Sequence, residues 1–268
     1  MAESRPDSLP SILKTIIADK AVRLRDCKGR TPQSELERRC RDLPRARDFR
    51  AALDPRSPAI IAEFKRRSPS RGVIRSPFDL QAIHRSYRRA GADAYSVLTE
   101  EDHFGGSLGD LGRLRELAEV PLLRKDFLFD PYQIYESRVA GADALLLIVA
   151  TLDDGQLREL ISLSRELTME ALVEVHTAPE LHRALECGAA IVGINNRDLH
   201  TFRVDLSVTL ELAPHLPGTV IGVAESGISG PEDIRRLRRA GIHAFLVGEQ
   251  LMRADDPGRE LERLKEVS

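Results

Sequence analysis

Arg89-Ala90-Gly91-Ala92-Asp93-Ala94-Tyr95-Ser96-Val97-Leu98 is echoed by Val139-Ala140-Gly141-Ala142-Asp143-Ala144-Leu145-Leu146-Leu147-Ile148. Weaker echoes are Glu186-Cys187-Gly188-Ala189-Ala190-Ile191-Val192-Gly193 and Arg239-Ala240-Gly241-Ile242-His243-Ala244-Phe245-Leu246-Val247-Gly248. Each reads as a helix ended by a glycine, the residue that tolerates a left-handed cap, followed within two or three residues by a buried strand. The four glycines lie about fifty residues apart, and that length holds two strand–helix units. Four double units give eight strands alternating with eight helices. The intervening strands are expected at Ala59 to Phe64, Pro121 to Lys125, Ala171 to Val175 and Thr219 to Ala224. Near-continuous apolar runs such as Ala144 to Val149 suit parallel strands buried on both faces.

Helix starts are marked as well. Ser76-Pro77-Phe78-Asp79, Ser107-Leu108-Gly109-Asp110, Thr177-Ala178-Pro179-Glu180 and Ser229-Gly230-Pro231-Glu232 read as capping boxes or their aspartate variant, and Asp130-Pro131 as an N-cap with Pro at N1. The expected fold is α/β, a (β/α)8 TIM barrel spanning residues 56–268. The competing open doubly wound sheet is weakened because no GxGxxG or Walker A loop follows the early strands. Residues 1–55 form a polar, helix-prone extension. Apolar positions 12/13, 16/17, 21 and 24 recur at helical spacing, Gly29 and Pro32 break that helix, and a second runs from Ser34 to Arg41. Pro44 and Pro55 punctuate the approach to the first strand. The extension has too little apolar surface for its own core, so it is expected to pack across the barrel and close its mouth rather than join its core.

The net charge of −2 is built from interspersed signs. No basic stripe calls for nucleic acid, no apolar run is long enough to span a membrane, and Met1-Ala2-Glu3-Ser4-Arg5 lacks the order of a secretory signal. The expected location is the cytoplasm. Cys27, Cys40 and Cys187 are scattered and read as reduced thiols.

The ends of the strands carry the chemistry. Ile60-Ile61-Ala62-Glu63-Phe64-Lys65-Arg66-Arg67-Ser68-Pro69-Ser70 turns from apolar to charged, and alternation sends Glu63 and Lys65 to one side. Alone, such a pair reads as a surface ion pair of little worth. In a barrel, however, the C-terminal strand ends build the active site. Thr99-Glu100 with Phe104, Lys125-Asp126-Phe127, Glu174-Val175-His176, Asn195-Asn196-Arg197-Asp198, Glu225-Ser226-Gly227 and Gly248-Glu249 complete the set. Buried charges are costly unless paired, so a ring of Glu63, Lys65, Lys125, Glu174, Arg197 and Glu225 implies a polar reaction centre. Gly227 and Gly248 follow strands seven and eight, where barrels bind phosphate against backbone N–H groups, and with Ser68 they suggest a phosphorylated substrate. His103, His176 and His200 form no metal-ligand spacing and read as ordinary loop histidines.

IIAEFKRRSPSRG, SVLTEEDHFGGS, PLLRKDF, ALVEVH, GINNRDL, VAESGIS and VGEQLMR, in this order, resemble the motifs of the indole-3-glycerol phosphate synthase family of tryptophan biosynthesis. The resemblance runs from about residue 8 to 265. It implies a decarboxylating carbon–carbon lyase that cyclises 1-(2-carboxyphenylamino)-1-deoxyribulose 5-phosphate to indole-3-glycerol phosphate with loss of CO2 and water. It makes Lys125 the general acid, Glu174 the residue serving dehydration and Glu63 its acid–base partner. Lys65, Phe104, Phe127, Asn195, Arg197, Glu225 and Ser226 become substrate contacts, and Ser68, Gly227, Gly248 and Glu249 the phosphate cradle, Glu249 chiefly through its backbone N–H. Neither metal nor organic cofactor is required, because decarboxylation itself restores aromaticity. The expected partner is the small phosphorylated substrate, with the chain a monomer or weak homodimer. Two other activities fit parts of the pattern. An isomerase acting on phosphoribosyl-anthranilate would share the late glycines but lack the E-x-K and Lys-Asp-Phe constellation, and a non-catalytic phosphometabolite binder would have no need of Lys125 and Glu174.

Overall fold

A computed structural model describes residues 9–53 and 56–267, so the expectations for Met1 to Arg5 and for Pro55 lie outside the described residues. Eight parallel strands close a barrel: β1 (Ala59–Phe64), β2 (Ala94–Leu98), β3 (Leu122–Lys125), β4 (Ala144–Ile148), β5 (Glu170–Val175), β6 (Ile191–Asn195), β7 (Ile221–Glu225) and β8 (Ala244–Val247). The sheet closes because β1 pairs with both β8 and β2. A short antiparallel pair, Arg67–Ser68 with Gly72–Val73, folds back over the end of β1. No helix among the described residues is long and apolar enough to cross a membrane.

The repeated Gly-Ala-Asp has a physical basis on both halves of the motif. Gly91, Gly141, Gly188 and Gly241 all have positive φ, the conformation that ends each helix and turns the chain into the next strand. Asp93 accepts the backbone N–H of Ile60 at 2.7 Å, and Asp143 accepts that of Leu122 at 3.0 Å. Each aspartate therefore pins the base of the preceding odd-numbered strand beside its own.

The N-cap residue differs from expectation at two places, and Ser107 and Thr177 cap their helices without the reciprocal bond of a capping box. Helix α4 (Leu80–Arg89) is capped by Asp79, whose side chain accepts from Ala82, rather than by Ser76. Helix α10 (Pro231–Arg239) has Gly230 at its N-cap, while Ser229 bonds forward to Asp233. Asp130 caps α6 (Pro131–Val139) in a full capping box with Gln133. Asp153 does the same for α7 (Asp154–Glu166) with Gln156, a box the sequence reading passed over.

Strand alternation divides the apolar residues into two clusters. Outward positions pack against the surrounding helices, Ile60, Tyr95, Leu145 and Val173 among them. Inward positions fill the barrel: Ile61, Leu123, Leu146, Leu172, Val223 and Leu246. Continuing that period by one step up β1, β3, β5 and β7 reaches Glu63, Lys125, Glu174 and Glu225.

Before the barrel come α1 (Ser11–Arg30), α2 (Gln33–Arg41) and α3 (Phe49–Ala52). Gly29 does not break α1, which continues to Arg30 and stops ahead of Pro32. The helix is tied to the loops after β2 and β3 by Lys20 on Asp126 at 2.8 Å, His103 on Asp19 at 2.9 Å and Lys28 on Asp130 at 2.7 Å. The expectation that the extension stays out of the core is wrong for its last turn. Phe49 and Leu53 are fully buried in the same cluster as the inward strand residues, because barrel strands that start at Ala59, Ala94, Ala144 and Ala244 leave room there for large side chains from elsewhere.

Candidate active site

All fourteen residues singled out as candidates line one cavity of about 490 Å³ at the C-terminal ends of the strands. Its centre is the Lys125 ammonium, which donates to Glu174 Oε2 at 3.0 Å and to Glu225 Oε2 at 2.8 Å. Burial alone would push this lysine down. The charges of Glu174, Glu225 and Glu63 outweigh it and raise the lysine well above its ordinary value, so it is held as a cation. The two carboxylates share that cation unequally. Burial works against both, but Lys125, His176 and an Asn195 hydrogen bond hold Glu174 low. Burial and the neighbouring negative charges hold Glu225 high, and its Oε1 has no hydrogen-bond partner.

A second group flanks this triad. Lys65 lies 3.4 Å from Glu63 Oε1 and 5.7 Å above the ring of Phe104, and Ser96 donates to Glu63 Oε2 at 3.2 Å. The rings of Phe104 and Phe127 stand 6.1 Å apart, centroid to centroid. Ser96 was missed by the sequence reading; its signal was a polar residue at an inward position of an otherwise apolar strand, in register with Glu63.

Two glycines serve the carboxylates. A Cβ on Gly248 would lie 2.2 Å from Glu63 Oε1, and one on Gly193 would lie 2.1 Å from Glu225 Oε1. Gly248 therefore makes room for an acid from the neighbouring strand, a role beyond the approach of an anion to its backbone. Gly193 does the same for β7 and was not among the candidates.

Not every charged strand end joins the central cluster around Lys125. Asp126 points away from Lys125 into a buried network with Thr99 at 2.6 Å, Lys20 at 2.8 Å and Arg124 at 3.0 Å, as alternation requires of adjacent residues. Glu100 accepts the backbone N–H groups of Asp102, His103 and Phe104, shaping the loop that carries the Phe104 ring. Arg197 stands apart from the central triad, on Glu249 Oε2 at 3.3 Å. Glu249 also meets Arg71 at 3.2 Å and Arg253 at 3.5 Å, so the rim carries three guanidinium groups around one carboxylate. Arg71 and Arg253 were not candidates, since neither sits at a strand end. Ser226 and Gly227 both have positive φ, turning the chain sharply after β7 so that both line the cavity.

A family profile described as indole-3-glycerol phosphate synthase matches residues 13–264. The chain belongs to the indole-3-glycerol phosphate synthase family. Among curated members, the indole-3-glycerol phosphate synthase of Dehalococcoides mccartyi (strain CBDB1) is 50% identical over 94% of this chain and 99% of its own. That of Polaromonas naphthalenivorans (strain CJ2) is 46% identical over 96% and 99%. The 3-hexulose-6-phosphate synthase of Salmonella typhimurium superposes with a TM-score of 0.64 at 13% identity, covering 78% of this chain and 97% of that one, a likeness of fold alone. For a member of the indole-3-glycerol phosphate synthase family, the lysine between two carboxylates beside a pair of aromatic rings is the feature with chemical consequence.

Proposed function

We propose that the chain cyclises 1-(2-carboxyphenylamino)-1-deoxyribulose 5-phosphate to indole-3-glycerol phosphate with loss of CO2 and water, as a decarboxylating carbon–carbon lyase of tryptophan biosynthesis in the cytoplasm, acting as a monomer or weak homodimer. The observation that carries this is the Lys125 ammonium held by Glu174 and Glu225 on the floor of the cavity. An acid must hold its proton before it acts, and those carboxylates keep the lysine protonated. When the substrate's ketone oxygen displaces a carboxylate, the lysine loses part of what raised its affinity for the proton, and it becomes a better donor at the moment of ring closure. The aromatic carbon bearing the carboxylate attacks the polarised carbonyl carbon, the ring C–CO2 bond breaks, and its electron pair restores aromaticity.

Glu174 then serves the dehydration, with Glu63 as its acid–base partner. Lys65 binds the substrate's carboxylate, Phe104 and Phe127 enclose the anthranilate ring, and Asn195, Arg197, Glu225 and Ser226 orient the remainder. The phosphate lies at the rim against Ser68, Gly227, Gly248 and the backbone N–H of Glu249. Arg71, Arg197 and Arg253 give that rim the positive charge a dianion requires.

The chain contains no Trp, so indole fluorescence of the product rises against little protein background. Purified protein given the carboxyphenylamino substrate should release CO2 and develop that fluorescence together. Neither signal appearing would overturn the assignment.

A further inference from the structure

His176 was expected to be an ordinary loop histidine, yet it stands half-buried beside the reaction centre. It follows β5 immediately, on the turn into α8 (Ala178–Glu186), with its side chain 13% exposed. Its Nδ1 lies 3.4 Å from Glu180 Oε2, and its backbone N–H donates to the same oxygen at 2.6 Å. Its Nε2 is 3.5 Å from Glu174 Oε1 and has no hydrogen-bond partner. That distance is at the long limit for a hydrogen bond. A carboxylate only accepts, so Glu180 fixes Nδ1 as the protonated nitrogen and leaves Nε2 aimed at Glu174. The charged groups facing the ring are Glu174 from β5, Glu180 from α8 and, across the site, Glu225 from β7. Glu180 is the more exposed end of this line, at 19% against 4% for Glu174.

The chemistry requires a proton held ready inside the site. The substrate's carboxylate leaves as neutral CO2, and the ketone oxygen leaves as water carrying two protons. One comes from the substrate's own methylene group. The other must come from solvent, one proton per turnover, and is used at a time when the substrate itself fills the mouth of the cavity.

We propose that His176 stores this proton: between turnovers, with the mouth open, solvent protonates Nε2 and gives an imidazolium that Glu180 holds at Nδ1. Once Lys125 has given its proton to the substrate and no longer holds Glu174 low, the Nε2–H passes to Glu174 Oε1 while its bonding pair returns to the ring. The neutral, Nδ1-protonated ring is restored, and Glu174 carries the proton into the dehydration. The proposal rests on the function assigned above. His176 acts through Glu174 and is a relay residue rather than a catalytic one. Burial alone would push its imidazole down, but the Glu180 bond and the Glu174 charge outweigh burial and raise it, favouring the loaded form.

Steady-state kinetics of the full chain test this with His176→Ala, His176→Gln and Glu180→Gln. The His176 variants should lose kcat by about tenfold or more with KM changed less than about twofold, and Glu180→Gln should lose less. The wild-type kcat should fall as pH rises through the titration of His176, because only the imidazolium delivers a proton, and this limb should vanish in His176→Gln. Added imidazole should restore turnover to His176→Ala in proportion to its concentration. Unchanged kcat, or a loss that imidazole does not relieve, would overturn the relay. A measurement independent of turnover is the 15N titration of His176: Glu174→Gln should lower its midpoint, and an unmoved midpoint would overturn the coupling. Wild-type protein inert toward the substrate would instead remove the proposed function, while leaving that titration to decide the relay.

Discussion

At the scale of single residues, the site is three carboxylates arranged around two lysines, and the shared burial makes each substitution legible. Lys125→Met keeps most of the side chain's bulk and removes both proton and charge. Turnover should fall by about a hundredfold to ten-thousandfold with an unchanged circular dichroism spectrum. Lys125→Arg should not rescue it, because guanidinium holds its proton too tightly to act as an acid. Glu225 gives a test by stability. Its folded carboxyl is raised above its unfolded value, so the folded protein binds the extra proton between those two values, and stability falls as pH rises through that window. Glu225→Gln removes this loss, since the amide does not ionise. Its melting temperature relative to wild type should therefore climb from acid to mildly alkaline pH; a constant difference would show that Glu225 is not the strained partner of Lys125.

At the scale of elements, α1 works as a strap over the mouth, with Ile12, Leu13 and Ile16 lining the cavity and Lys20 buried on Asp126 beside Lys125. Deleting residues 1–45 keeps α3, whose Phe49 and Leu53 plug the barrel, and removes the strap. The truncated chain should fold, melt at a lower temperature and show a raised KM, because water exclusion from the site depends on its cover. Asp126 keeps Arg124 and Thr99 in that variant, so the part of the loss that comes from removing Lys20 should stay below the roughly 3–5 kcal/mol typical of an orphaned buried charge, with the lost packing of Leu13, Ile16, Leu24 and Leu36 added to it. Unaltered kinetic constants would show that the strap takes no part in binding. The strap's amphipathic spacing was visible in the sequence, but Lys20 and Asp126 are 106 positions apart and nothing local announces their bond.

At the scale of the whole molecule, a chain of net charge −2 gathers Arg71, Arg197 and Arg253 at one rim of its cavity. A substrate analogue without phosphate should bind far more weakly by calorimetry, and the wild-type affinity should decline with salt as screening weakens the rim's charge; equal affinity for the two ligands would remove the phosphate assignment. The repeat spacing, the capping glycines and the period-two strands determined the barrel from sequence alone, because parallel strands buried on both faces leave a local apolar signature and their ends must face one way. The same periodicity brought Glu63, Lys125, Glu174 and Glu225 to the cavity. What it could not determine was which charges meet. That Lys125 takes Glu174 and Glu225 while Asp126 turns to Lys20, and that Gly193 and Gly248 are hollow for the sake of carboxylates on neighbouring strands, depend on distances between residues remote in the chain. Only closure of the barrel sets those distances, and the low dielectric it creates decides which pairings a buried charge can tolerate.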